Sequence, residues 1–417
     1  MTDTSARTLA DPAVQQCPYH LYAALHHESP VHFDPVMNLF LITRYDDVVA
    51  ASLDWETFSS HIDMRRDVSL ADASPSDALY KAQGWVVEDV LSQVDPPRHT
   101  IFRKIVERLF TGPAVKRLHG YLDTHINELI DGFEARGRAD FLTEFALRLP
   151  IDVIADQLGL PRSVGPDIKR WTDAYIESFD PTISPEHKLE CTRRIIEFQQ
   201  YFMAKRSEKI AMPAADLLSM LAVAERPDGG RLTDEEYLAL CAQLMAAGNE
   251  TTRNHLMAAM RMLIEDPALQ QKLRAAPDLI PRFIDESLRL ESPAQGLYRR
   301  CTREVTVAGT LIPAGAIVLL MFAAGNRDER QFPHPERLDL SRPNAQRHLA
   351  FGHGIHSCIG RTLATAELNF AITRLLERLD NIRLDPDRPA LRYKPHFNMR
   401  ALESLDIVFT PRIRTTP

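Results

Sequence analysis

Residues 351–360 read FGHGIHSCIG, placing one cysteine, two histidines and three glycines within ten positions. His353, His356 and Cys358 are metal-ligating types, but a structural zinc needs four ligands, usually in two short pairs. Cys17, Cys191, Cys241 and Cys301 each stand alone in the sequence, so zinc is disfavoured. A buried inert thiol is one alternative, and a nucleophile with His356 as its base is another. The glycines argue against an inert thiol, because Gly352, Gly354 and Gly360 allow positive φ and close backbone approach. After Gly360, RTLATAELNFAITRLLERL has helical period, so Cys358 sits just before a helix N-terminus. Amide donors and the helix dipole stabilise a thiolate there. A thiolate on a loop shaped for a large flat group reads as an axial ligand to haem iron.

The rest of the chain sets the context. It has 417 residues, 45% apolar and 25% charged, with a net charge of −8. These are ordinary values for a globular protein and argue against a nucleic-acid partner. The opening MTDTSARTLADPAVQQ has no apolar run, so no signal peptide or membrane anchor is expected, and residues 1–17 are expected to be loose. Scattered cysteines in odd number imply no disulfide framework and a reducing, cytoplasmic setting. Neither repeats nor linkers interrupt the chain, so 1–417 reads as a single domain. Helical period dominates, as in DVIADQLGL (152–160) and CTRRIIEFQQYFMAKRSEKI (191–210). PVHF and LFLITRY predict a hairpin, and EVTVAGTLIPAGAIVLLMF (304–322) predicts strands around Ala308-Gly309 and Pro313-Ala314-Gly315. The expected fold class is mainly α with small β-sheets.

One helix is exceptional in length. LTDEEYLALCAQLMAAGNETTRNHLMAAMRMLIEDP opens with a capping box, Thr233 and Glu236, and Pro267 stops it. About 32 residues give a rod of about 48 Å. AGNETT lies at its centre, where Gly248 costs ~1 kcal/mol against alanine and the threonines invite a bend. In DPPRHTIFRKIV, Asp95 at N-cap and Pro96 at N1 predict a helix start. His99 and Arg103 then share a face, a like-signed pair that calls for an anion. Glu286 and Arg289 in FIDESLRLESP form an i,i+3 pair, ordinarily a solvated one worth a few tenths of a kcal/mol.

FGHGIHSCIG meets every fixed position of the haem-binding signature of the cytochrome P450 monooxygenases. FIDESLRLESP, DPPRHTIFRKIV and AAGNETT follow that family's order, and the resemblance to its bacterial soluble type covers nearly the whole chain. It implies the cytochrome P450 fold, with haem b (iron protoporphyrin IX) between the long helix and the helix after the cysteine loop. By the same resemblance Cys358 is the axial ligand of the iron, with Phe351, Gly352 and Gly360 shaping its loop. His99, Arg103, Arg299 and His356 would meet the haem propionates, with Arg300 the alternative to Arg299. Ala247, Gly248, Glu250 and Thr251 match the oxygen-groove motif, with Glu where Asp is commoner. Glu286 and Arg289 become a buried structural pair, completed by Arg337.

The resemblance also implies an activity. Thr251 would hydrogen-bond dioxygen and Glu250 would relay protons, while a kink at Ala247–Gly248 opens the groove. Two electrons would come from a ferredoxin or flavodoxin with an NAD(P)H-dependent reductase, docking near Arg108, Arg347 and Arg361. The substrate would be a medium-sized apolar molecule such as a terpenoid, steroid or aromatic, which is hydroxylated, epoxidised or demethylated. Its walls by family position are Trp85, Phe179, Met245, Ala246, Ala247, Ala294, Leu297 and Leu402, with Gly296 leaving space. Arg65 and Arg66 lie in the 61–93 loop, which by family position also contributes to the walls. The chain is expected to be a monomer, with no membrane and no nucleic-acid partner. A peroxide-driven peroxygenase and a non-catalytic haem sensor or carrier are the rival readings.

Overall fold

The capping box forms as the sequence predicts. In the computed structural model, Thr233 N donates to Glu236 Oε2 at 3.1 Å, and Glu236 N donates to Thr233 Oγ1 at 3.2 Å. The long helix runs Asp234–Glu265, and Asp266 caps the next helix, Pro267–Ala275, through Leu269 N. The structure describes residues 8–62, 75–178, 183–226, 229–396 and 398–412. Of the residues singled out above, Arg65, Arg66 and Phe179 lie outside that set. No helix among the described residues is long and apolar enough to cross a membrane.

Two compact units emerge, each assembled from separate stretches of chain. One is Met1–Ser60, Val115–Leu149 and Thr251–Pro417; the other is His61–Ala114 and Pro150–Glu250. Neither is contiguous in sequence, which is why no linker composition marks a boundary.

The first unit holds the sheets. PVHF and LFLITRY do pair, as Val31–Asp34 antiparallel to Leu39–Ile42. A five-stranded sheet continues from them in the order Val31–Asp34, Leu39–Ile42, Ile317–Leu320, Leu297–Cys301, Phe58–Ser59. Its pleat separates two apolar layers. Ile42, Val318, Leu320, Leu297 and Cys301 join Phe58, Phe322 and Leu349 on one face. Leu39, Leu41, Leu319 and Tyr298 join Tyr22 and Leu25 on the other. The expected turn at Ala308-Gly309 links Val305–Val307 to Thr310–Ile312, with both φ values positive, at 45° and 81°, as a primed hairpin turn requires.

Two local expectations need correction. Residues 8–17 are not loose: Leu9 is buried and Pro12–Gln16 is helical, capped by Asp11. Gln16 Nε2 also donates to Tyr393 O at 2.7 Å. The helix expected to start at Pro96 instead runs Arg98–Val106, with Pro97 as N-cap. A residue before proline is driven out of the α region, so Pro97 excludes Pro96 from the first turn. His99 N still reaches Asp95 O at 3.0 Å.

Candidate active site

Backbone hydrogen bonds and glycine geometry shape the cysteine loop. Gly352 N donates to Leu349 O, and Cys358 N donates to Phe351 O, each at 2.8 Å. Gly352 and Gly354 have φ of +69° and +72°. A Cβ on Gly354 would stand 2.3 Å from Ser52 O, so the loop lies directly on the helix Tyr45–Leu53. Cys358 itself is exposed, just before the helix Arg361–Arg378, whose N-cap is Gly360. A Cβ on Gly360 would reach 3.9 Å from Cys358 Sγ. Phe351 is held between the His348 ring, 5.7 Å away, and the Arg361 guanidinium, 5.4 Å away. His356 Nε2 lies 2.9 Å from Ser60 Oγ, a partner that nothing in the sequence signals. By contrast, Cys191, Cys241 and Cys301 are buried. Burial pushes the Cys241 thiol up to about 12 and the Cys301 thiol up to about 11.

Beneath this loop lies an ionic frame. Glu286 and Arg289 are both fully buried on the helix Ile280–Leu290. Arg289 Nε and Nη2 donate to Glu286 Oε1 and Oε2 at 2.6 and 3.0 Å. The third place belongs to Arg342, not Arg337. Arg342 Nε donates to Glu286 Oε2 at 3.1 Å, whereas the Arg337 side chain is 71% exposed beside Glu336. Arg337 contributes only its carbonyl, which accepts from Arg289 Nη2 at 2.9 Å. Both arginines occupy the same turn-rich stretch, so only its tertiary path decides between them. Arg289 Nη1 also donates to Asn326 O at 3.1 Å, and Asn326 Oδ1 accepts from Leu349 N at 2.5 Å. The frame is thereby tied to the first residue of the loop's own hydrogen-bond chain.

The pleat puts the adjacent arginines on opposite faces of the sheet. Arg299 pairs with Val318 in the sheet and is buried. It shares the sheet face of Leu297 and Cys301, the face that carries Phe322, which is the residue nearest a Cβ on Gly352 beside His356. Arg300 points to the opposite face.

The second unit carries the remaining candidates. His99 is buried, and its pKa is lowered first by burial and then by the Arg103 charge. His99 and Arg103 stand one turn apart on one face of Arg98–Val106. The long helix passes unbroken through Gly248, so the expected kink does not interrupt it. Met245 and Ala246 are buried there, whereas Ala247 and Gly248 are exposed and Glu250 is half-buried. In the first unit, Thr251 is half-buried at the next helical position. A Cβ on Gly248 would meet only Ile154, at 4.0 Å. Packing among the described residues therefore does not demand a glycine, which costs ~1 kcal/mol against alanine in a helix.

Among the other pocket candidates, Trp85 is half-buried, its backbone clamped by Gln199 at 3.0 and 2.9 Å. Ala294 bridges to Met399, Leu297 is half-buried and Leu402 is buried. Gly296 does not leave space, because a Cβ there would stand 2.4 Å from Leu320 O.

Known proteins resemble this chain in sequence and fold. The Cytochrome P450 family description matches residues 167–399. Cytochrome P450 107B1 of Saccharopolyspora erythraea is 33% identical over 402 residues, covering 95% of this chain and 96% of that protein. The chain belongs to the cytochrome P450 family. The steroid C26-monooxygenase of Mycobacterium tuberculosis is 32% identical to this P450, covering 82% of this chain and 93% of that one. The crystal structure of CYP109E1 from Bacillus megaterium in complex with testosterone superposes with a TM-score of 0.82. It is 28% identical, covering 95% of this chain and 99% of that chain. The P450 fold is thus mostly helical with small sheets, and the protein is a haem-thiolate monooxygenase with haem b as its cofactor.

The residues present fit that group. Cys358 offers an exposed thiol before a helix N-terminus, on a loop with positive φ at Gly352 and Gly354. Buried Arg299 and half-buried His356 are cationic or hydrogen-bonding groups of the kind suited to carboxylates.

Proposed function

We propose that this P450 inserts one oxygen atom of O2 into a steroid-sized apolar molecule, and that Cys358 is the residue that would hold the haem iron. The observation that carries the site assignment is the loop itself: an exposed thiol just before a helix N-terminus, on a loop shaped by backbone hydrogen bonds, positive-φ glycines and the Phe351 stack. When bound, haem supplies the oxygen-activating and electron-accepting chemistry. Cys358 would hold the iron as a thiolate, which the helix dipole and nearby amide groups favour. His99, Arg103, Arg299 and His356 would hold the haem propionates. Ala247 and Gly248 offer an accessible edge for dioxygen. Thr251 donates a hydrogen bond there, and half-buried Glu250 moves protons from solvent towards it. The candidate walls, Met245, Ala246, Ala294, Leu297 and Leu402, are all uncharged and apolar. That suits a molecule recognised by shape and apolar area, and steroids are named for two of the similar proteins above. Electrons arrive from an acidic ferredoxin or flavodoxin, for which Arg347 and Arg361 are exposed.

Titrating the holoenzyme with testosterone, and separately with a linear fatty acid, tests the substrate class. The steroid is expected to drive the iron to high spin at the lower concentration; a preference for the fatty acid would overturn the reading. With a converting substrate, Thr251→Ala is expected to cut product per NAD(P)H by about a hundredfold while NAD(P)H consumption continues. Unchanged coupling would remove Thr251 from proton delivery.

A further inference from the structure

We propose that Glu177, His187 and Cys191 form a zinc site, remote in sequence from the haem motifs. Among the described residues, these three bring imidazole, thiol and carboxylate ligand atoms within 4.8 Å of one another. Glu177 closes the helix Gly165–Glu177, and His187 and Cys191 lie one turn apart on Pro185–Ala211. An i,i+4 spacing puts both side chains on one helix face, and that face meets Glu177. His187 Nε2 lies 2.9 Å from Glu177 Oε2, and Cys191 Sγ lies 3.8 Å from the same oxygen.

Those separations suit a small tetrahedral ion. With Zn–N and Zn–O bonds of about 2.0 Å and Zn–S of about 2.3 Å, neighbouring ligand atoms stand about 3.3 to 3.5 Å apart. Shifts within about 1 Å bring all three into place, within reach of rotamer adjustment. The donor set of soft sulfur, imidazole and carboxylate is one that zinc accepts and that magnesium or calcium does not. Glu177 and His187 are exposed while Cys191 is buried, so the fourth position opens to solvent and takes water. On the inner side Ala174, Ile195, Tyr80 and Ile183 pack around Cys191. Glu190, which adjoins Cys191, is engaged by Arg193 and Arg194.

In the metal-free chain, burial and then the Glu177 carboxylate push the Cys191 thiol up, so it carries its proton. Zinc binding forms the Zn–S bond and releases that proton to solvent, with no redox change. The ion would cross-link the end of one helix to the first turns of the next, a closure that removes chain entropy at that connection.

Zinc itself is the probe, added to purified holoenzyme after chelator treatment and kept under a thiol-free reductant. We expect one zinc per chain, with a dissociation constant of about 1 μM or tighter. Zinc-edge absorption spectroscopy should show one sulfur among nitrogen and oxygen neighbours, distinct from the iron edge. Cys191→Ser and His187→Gln should each weaken zinc binding at least tenfold and leave the haem spectrum unchanged. His187 is exposed, so its variant keeps the test open should Cys191→Ser fold poorly. Stoichiometric zinc without a sulfur neighbour, affinity unaltered by either variant, or no binding at about 100 μM zinc would each overturn the site.

Discussion

Cys358 and Cys191 are held by opposite means. Around Cys358 the structure is made of backbone: two positive-φ glycines, an amide donated to Phe351 O, and a helix N-terminus. Around Cys191 it is made of side chains, Glu177 and His187, arriving from two helices onto a buried thiol. A backbone cradle leaves a thiol exposed and aimed at a large group from outside, whereas a side-chain cluster encloses something no larger than an ion. The same element, sulfur, is thus set for two kinds of ligand by what surrounds it.

Paired serine substitutions give the sharpest test of that contrast. Cys358→Ser is expected to abolish the red-shifted absorption of the reduced, CO-bound haem and to cut turnover about a thousandfold or more. Cys191→Ser should leave both near wild type. Turnover and the CO spectrum surviving in the Cys358 variant would erase the distinction.

The frame beneath the cysteine loop gives the next largest effect. Arg342→Leu leaves Glu286, fully buried, without one of its cations, and is expected to cost about 3–5 kcal/mol in denaturant unfolding. Arg337→Leu touches an exposed side chain and should stay within about 0.5 kcal/mol. Equal costs would return the third place to Arg337.

A smaller, pH-dependent effect belongs to the helix that leaves the loop. Glu367 is buried, and burial raises its carboxyl to about 8. A folded pKa above the unfolded one means that the native state holds the extra proton. Stability is then complete below the ordinary carboxylate range and falls as pH rises from there to about 8. Glu367→Gln should remove that slope, gaining about 2 kcal/mol or more at alkaline pH and little near pH 5. Parallel stability curves for the two proteins would show that the buried carboxyl is already ionised.

What could be read from the sequence follows the same division between backbone and side chain. The capping box of the long helix, the 31–42 hairpin and the Ala308-Gly309 turn were legible because local residues determine them. So was the cysteine loop, whose glycines and helix start adjoin the thiol. Arg342 was not legible, since it and Arg337 differ only in where the chain carries them. Nor was the Ser60 partner of His356, which approaches from nearly three hundred residues away. Cys191 stood alone because its companions are ten residues apart from each other, on separate helices. The Pro96 start failed for a local reason, a second proline whose restriction on its predecessor outweighs an N-cap preference.

The alternation at Arg299 and Arg300 has an evolutionary corollary. Inserting or deleting one residue between Pro293 and Leu297 would advance the strand by one pleat and exchange the faces of the two arginines. Sequence drift in this segment can therefore proceed by substitution but not by a change of length. A library of single-residue insertions and deletions there, sorted for haem content, should return only the original spacing.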